Sequence, residues 1–172
     1  MKKGLVILYT GRGKGKTTAA LGLALRAWGH GFQVCVIQFI KGRQDTGEAA
    51  ALRRLQGVDL HVTGRGFLLG PETPESDRAA AAEGWRLARE SMASGRYRLL
   101  VLDEITYAVN RGMVDLQELL GCLEKRDGRL HVVITGRDAP SSLVEAADLV
   151  TEMREVKHPL SRGVKAQAGI EF

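Results

Sequence analysis

The chain has 172 residues, 44% hydrophobic and 26% charged, enough apolar mass for one sizeable core beneath an ordinary water-facing surface. Its apolar runs are far shorter than a membrane span, and Lys2 and Lys3 precede only a short apolar run that ends in glycines. A membrane-spanning or secreted protein is therefore disfavoured and a cytoplasmic one expected. The net charge of +5 favours anionic ligands without choosing between nucleotide and nucleic acid.

Lys2 to Thr10 is read as the first strand; its near-continuous Leu-Val-Ile-Leu suits a parallel strand covered on both faces. It runs into Tyr9 to Thr18, Y-T-G-R-G-K-G-K-T-T, and then into a helix expected from Lys16 to His30. Strand, glycine loop and helix in that order form the setting of a phosphate-binding loop. Gly11, Gly13 and Gly15 let the backbone curl so that several N–H groups point at one anion, and the helix adds the positive end of its dipole. Lys16 is placed to reach phosphate oxygens and Thr17 to bind Mg²⁺. Against G-x-x-x-x-G-K-[ST], the first glycine is missing, because position 10 is Thr. On the helix, Ala19, Ala20, Leu23, Ala24 and Ala27 recur at helical spacing, small enough to let it lie close to a sheet.

Val34 to Ile40 reads as a second strand ending in Lys41, a basic residue at the edge where open α/β sheets bind ligands. Gly47 to Leu55 reads as a short helix and Val58 to Val62 as a strand. Thr63 to Glu75 holds three glycines and two prolines, which rule out regular structure, and carries the apolar trio Phe67, Leu68 and Leu69. That trio fits either a satellite core cluster or an apolar lid over a large ligand. A long helix follows to about Ser94, with Thr73 expected as its N-cap, Pro74 in its first position, and a face of Ala79, Ala82, Trp85, Leu87 and Met92.

Arg98 to Leu102 is an apolar strand closing in Asp103-Glu104, the pattern of a Walker B element in which Asp103 holds a metal ion. Asp115 to Lys125 is a helix opened by a capping box with Glu118. Leu130 to Thr135 is a buried strand ending in Gly136-Arg137-Asp138, Pro140 and Ser141 open another helix, and Leu149 to Val156 reads as the last long strand. The basic tail from Lys157 to Phe172 shows a short strand pattern at its end. Cys35, on a strand, and Cys122, on a helix, read as buried thiols rather than a disulfide. Alternating strands and helices with no linker give one α/β domain over residues 1–172, a P-loop NTPase-like (RecA-like) mainly parallel sheet flanked by helices. At this level an NTPase, a kinase and a nucleotide-using transferase all remain open; Glu104 could orient a water against a γ-phosphate as in ordinary P-loop ATPases.

The ordered motifs narrow the choice. T-G-R-G-K-G-K-T-T-A-A, W-G-H-G from Trp28, V-I-Q-F-I-K-G from Val36 and G-E at Gly47 resemble the P-loop ATP:corrinoid adenosyltransferases. So do L-D-E-I-T-Y from Leu102, V-I-T-G-R from Val133, V-K-H from Val156 and G-V-K-A-Q-x-G-I from Gly163, and Thr10 matches the same family. The resemblance implies transfer of the 5′-deoxyadenosyl group of ATP to Co(I) of a corrinoid, in adenosylcobalamin biosynthesis or salvage, with triphosphate leaving. ATP is then the co-substrate, held in the reverse sense to ordinary P-loop enzymes, with Mg²⁺ (or Mn²⁺) as cofactor.

The implied nucleotide site comprises Gly11, Arg12, Gly13, Lys14, Gly15, Lys16, Thr17 and Thr18, with Lys41 and Arg137. The metal would fall to Thr17, Asp103 and Glu104, Glu104 being favoured as the direct ligand. Lys16, Glu104 and Phe67 are the expected catalytic residues. Phe67 matches an aromatic residue that displaces the lower axial ligand of Co(II); well-known members carry Trp where this chain has Leu69. The resemblance also implies a flavoprotein electron donor and a homodimer, and neither nucleic acid nor membrane as partner. The first strand starts almost at the first residue, so a lid formed in some members by an N-terminal extension is expected to be incomplete or to come from elsewhere. The competing readings are a nucleic-acid-dependent P-loop ATPase, weakened by the scarcity of aromatic residues for base stacking, a small-molecule kinase, and a nucleotide-sensing regulator.

Overall fold

Apolar side chains alternate along the central strands between two faces, and each face finds its own core. Leu8, Ile37, Leu100, Leu102, Val132 and Ile134 enter one; Ile7, Val34, Val36, Val101 and Val133 enter the other. That double burial is why the strands read as continuous apolar runs. In the computed structural model, which describes residues 3–40, 42, 46–66 and 72–171, these strands are β1 (Val6–Thr10), β2 (Val34–Gln38), β3 (Val58–Val62), β4 (Leu99–Asp103), β5 (His131–Thr135) and β6 (Leu149–Glu152). They form a six-stranded sheet in the order β3-β2-β4-β5-β1-β6, every pair parallel. The carboxyl ends of all the strands therefore share one edge, where Thr10, Gln38, Asp103, Thr135 and Glu152 lie.

The helices are α1 (Lys16–Gly29), α2 (Gly47–Leu52), α3 (Glu75–Ala93), α4 (Ile105–Asn110), α5 (Leu116–Lys125) and α6 (Ser141–Ala146). Helix α1 lies against β1, β4 and β5, with Ala20 and Ala24 fully buried. The opposite core takes Trp85, Ala88 and Met92 from α3, Ile105 and Ala108 from α4, Leu119 and Leu123 from α5 and Leu143 from α6. Trp85 donates its Nε1–H to Glu118 at 2.7 Å and Arg89 reaches the other oxygen of that carboxylate at 2.9 Å, tying α3 to α5. Both cysteines are free: Cys35 is buried, which pushes its thiol up to about 11, and Cys122 is half-buried.

Several expected boundaries shift. The first strand begins at Val6, the second stops at Gln38 rather than Ile40, and α2 ends at Leu52 rather than Leu55. Helix α3 begins at Glu75: Pro74, at ψ 149°, stands outside as the N-cap residue, and no side chain caps the helix. Its buried face is Ala81, Gly84, Trp85, Ala88 and Met92, while Ala79 and Ala82 are exposed. The period was legible; the phase of the alanines was not, because alanine marks neither face. Only half of the expected capping box forms, with Asp115 accepting the Glu118 N–H at 2.7 Å while the Glu118 carboxylate turns to Trp85. Strand β6 ends at Glu152, since Met153 leaves the sheet to pack on the glycine loop. The tail holds a 3-10 turn, Pro159–Arg162, and residues 168–171 near its end form a turn rather than the expected short strand. Helix α4 was not expected: I-T-Y-A-V-N is short and β-branched, and it starts from Glu104 in a left-handed conformation that sequence pattern does not reveal. No helix among the described residues is long and apolar enough to cross a membrane.

Leu119 is fully buried in the larger core, whereas Leu116 on the same helix is partly buried. Leu119→Ala is expected to lower unfolding free energy by about 3 kcal/mol and Leu116→Ala by less than half as much, read by urea denaturation of both variants.

Candidate active site

The site grows from the loop between β1 and α1. Residues 11–14 turn tightly because the end of β6 lies across them. Gly13 N–H donates to the Met153 carbonyl at 2.6 Å, and Met153 N–H donates to Thr10 O at 2.8 Å. A Cβ at Gly11 would meet Met153 O at 2.5 Å and one at Gly13 would meet it at 2.7 Å, so close backbone approach excludes side chains at both, and at Gly11 a φ of +93° adds to it. One loop N–H is therefore spent on the protein itself. Lys16 is 6% exposed, and its ammonium donates to the carbonyls of Gly11 at 2.8 Å and Gly13 at 2.9 Å. Lys14, exposed, pairs with Glu171 of the tail.

Helix α1 then places Thr17 against the end of β4. Thr17 Oγ1 donates to Asp103 Oδ1 at 2.8 Å. Two more donors reach the same carboxylate: Thr135 Oγ1 at 2.7 Å to Oδ1, and Gln38 Nε2 at 3.3 Å to Oδ2. Asp103 is 1% exposed, and a buried carboxylate needs donors of this kind to remain charged. Glu104 follows in the left-handed region at φ 60°, which for a residue with a side chain costs about 1–2 kcal/mol. Its N–H donates to Thr135 Oγ1 at 2.8 Å. Its Oε2 would lie 3.4 Å from a Cβ on Gly136, so the carboxylate sits over that glycine.

Electrostatics bring the same groups together. Burial lowers Lys16 from its ordinary 10.5, Glu104 opposes that most strongly, Arg137 adds to the lowering, and Asp103 and Asp138 oppose it. Arg12 and Arg137, both exposed, line one cleft of about 440 Å³ with Glu152, Met153 and Arg154. The structure thus gathers Gly11, Arg12, Gly13, Lys14, Gly15, Lys16, Thr17, Asp103, Glu104 and Arg137 at one edge of the sheet. Thr18 is on α1 and exposed. Lys41 and Phe67 lie outside the described residues. Sequence reasoning passed over Gln38, Thr135 and Met153. Polar residues closing the apolar runs V-C-V-I-Q and H-V-V-I-T were a usable signal for the first two; nothing in the sequence marked Met153.

Among the described residues no three His, Cys, Asp or Glu side chains form a metal cage by themselves. The oxygen set available, the Thr17 hydroxyl with the Asp103 and Glu104 carboxylates, suits a hard divalent cation that takes its other ligands from phosphate and water. The Gln38 side-chain amide oxygen is buried without a hydrogen-bond partner among the described residues.

The sequence pattern described as ATP:corrinoid adenosyltransferase BtuR/CobO/CobP matches residues 2–172. The chain is 42% identical over 172 residues to a corrinoid adenosyltransferase of Pseudomonas aeruginosa, covering 99% of this chain and 85% of that one. It is 43% identical over 171 residues to the corrinoid adenosyltransferase of Escherichia coli K12, covering 99% and 87%. To corrinoid adenosyltransferase CobA of Salmonella typhimurium it is 42% identical over 171 residues, again covering 99% and 87%. In structure it resembles flagellar accessory protein FlaH of Methanocaldococcus jannaschii, with a TM-score of 0.63 at 12% identity over 88% of this chain and 72% of that one, a likeness of fold alone.

The lowered pKa of Lys16 fixes the sign of a pH effect. Folding penalises its charge, fully so below the lowered value and progressively less as pH rises toward 10.5. A polyphosphate bound beside Lys16 would favour its charged form, so binding would take up a proton between the lowered and the restored value. Affinity for inorganic triphosphate is expected to fall as pH rises through that window. Calorimetry in two buffers of different ionisation enthalpy should show the uptake, and Lys16→Gln should remove the part that exceeds the proton linkage of triphosphate itself.

Proposed function

Because the chain belongs to the ATP:corrinoid adenosyltransferase family, we propose that the edge formed by β1, β4 and β5 is where ATP meets a reduced corrinoid. The enzyme adenosylates corrinoids in cobalamin biosynthesis, using ATP as co-substrate. The observation that carries the site assignment is the 2.8 Å hydrogen bond from Thr17 to Asp103, which joins the phosphate loop to the acidic strand end.

The reaction asks little acid–base chemistry of the protein. Co(I) supplies the electron pair that forms the Co–C5′ bond, the C5′–O bond breaks, and triphosphate leaves with that bond's electrons. The protein has to hold the two reactants in line and to stabilise the charge gathering on the departing triphosphate. Lys16, whose ammonium rests on the Gly11 and Gly13 carbonyls, is assigned to phosphate oxygens; Arg12 and Arg137 add positive charge at the rim, Lys14 would exchange its partner Glu171 for phosphate, and Thr18 and Lys41 are assigned by resemblance as further contacts. Thr17, Asp103 and Glu104 would hold Mg²⁺ or Mn²⁺, which when bound neutralises phosphate charge. Asp103 is occupied by three donors, so it is read as the outer anchor and Glu104 as the direct ligand. Phe67 is assigned by resemblance to the lower face of the corrin.

The reading extends to a single nucleotide-binding domain over 1–172, a cytoplasmic location, a flavoprotein that reduces the corrinoid, and a homodimer. The last is supported by β6, an edge strand whose four residues are all exposed, Leu149 at 44% and Val150 at 40%.

Incubation with ATP, Mg²⁺ and chemically reduced corrinoid should give the adenosylcorrinoid spectrum and one triphosphate per turnover. ADP with phosphate would instead mark a hydrolase. Glu104→Gln is expected to fold normally, to raise the Mg²⁺ requirement by about 10-fold or more, and to leave background ATP hydrolysis as low as in the wild type.

Phe67→Ala separates two roles of its loop. An apolar wall that strips the axial donor from Co(II) eases reduction but matters little once cobalt is Co(I). The variant should be strongly impaired when a flavoprotein must reduce Co(II) and only mildly impaired with pre-formed Co(I). Equal loss in both assays would assign Phe67 to binding or packing.

A further inference from the structure

Thr135 has one hydroxyl and two obligations. It ends β5, the strand that lies between the loop strand β1 and the acidic strand β4, and it is fully buried. Its proton goes to Asp103 Oδ1 at 2.7 Å, and its oxygen accepts the N–H of Glu104 at 2.8 Å. The second bond is made to a residue held at φ 60° and ψ 25°, a conformation that a glutamate rarely adopts unless something holds it.

The residues after Thr135 complete the cradle. Gly136 donates its N–H to Tyr9 O at 3.1 Å, which fixes this corner to β1. Gly136 has φ +143°, and a Cβ there would lie 1.9 Å from Thr106 Oγ1 and 3.4 Å from Glu104 Oε2. Thr106 in turn donates to Arg137 O at 2.8 Å, holding the first turn of α4 to the same corner. The tip of β5 thus sets the backbone of Glu104 through Thr135 and leaves room for its carboxylate over Gly136.

We propose that Thr135 is a positioning residue for the cation site: a single hydroxyl fixes the carboxylate of Asp103 and the left-handed backbone of Glu104 together, so that both acidic groups are presented in register with Thr17. The inference rests on the reading of this edge as the metal–nucleotide site. It predicts coupling that a simple core residue would lack. Loss of the hydroxyl should disturb cation binding even where the fold survives, because Glu104 then loses the partner that holds its N–H in the left-handed turn.

The test uses the full chain with ATP and Mn²⁺, without corrinoid, and follows water-proton relaxation enhancement as Mn²⁺ is titrated. Thr135→Val keeps the shape and removes both hydrogen bonds; Thr135→Ser keeps the hydroxyl. The expected result is an apparent Mn²⁺ affinity weakened about 10-fold or more in Thr135→Val, near-wild-type affinity in Thr135→Ser, and metal-free ATP binding unchanged in both. Thermal unfolding measured alongside shows how much protein is folded. Should Thr135→Val not fold, Thr135→Ala, which opens space without setting a methyl against two polar groups, carries the same comparison. Wild-type Mn²⁺ affinity in the hydroxyl-free variant, with only a lowered Tm, overturns the proposal and makes Thr135 a packing residue. A wild-type enzyme that shows no enhancement beyond that of Mn²⁺–ATP alone overturns the metal–nucleotide reading itself, which keeps the two failures distinct.

Discussion

The buried carboxylate of Asp103 is the constraint around which the edge of the sheet is arranged. It is 1% exposed, and three donors, from α1, β5 and β2, converge on it. Removing water from a charge is costly unless hydrogen bonds replace the solvent. That requirement holds helix α1 to the ends of β4 and β5 and therefore fixes the distance between the phosphate loop and the acidic pair. The insertion of β5 between β1 and β4 is part of the same arrangement, since it brings Thr135 to the one place from which a hydroxyl reaches both Asp103 and the Glu104 backbone.

The phosphate loop is constrained from the other side by Met153. Its carbonyl takes the Gly13 N–H, and its backbone fills the space that side chains at positions 11 and 13 would need. The glycines of the loop consequently serve two ends: conformational freedom for an anion nest, and clearance for β6. Lys16 sits beneath this arrangement, its charge offset by the Gly11 and Gly13 carbonyls and by Glu104 and Asp103.

Chemistry that relies on the nucleophilicity of cobalt places its demand on approach geometry and leaving-group charge. The described residues at this edge offer positive charge and hydroxyl oxygens for that demand. Cys35, the buried thiol, lies on β2 beside Ser91 at 3.5 Å, with burial pushing its pKa up to about 11, so it stays a neutral packing group.

Much of this was legible from the chain alone. Apolar runs of three to five residues alternating with helical periods point to a parallel sheet covered on both faces, because two-sided burial calls for such runs. The loop Tyr9 to Thr18 and the ending Leu102-Asp103-Glu104 supplied most of the residues that the fold gathers at the proposed site, since phosphate and metal chemistry ask for particular residue types at particular strand ends, and the ordered motifs carried the family. What the tertiary structure decided is which backbone groups meet. That Met153 spends the Gly13 N–H, that Glu118 turns to Trp85 rather than closing its own helix cap, that Glu104 stands in a left-handed turn opening α4, and that Thr135 serves both acidic residues all depend on contacts between segments from 31 to 140 positions apart. Periodicity reports the face a side chain presents. It carries no information about the partner that packing brings to that face, and hydrogen-bond partners of buried polar groups are chosen at that later level.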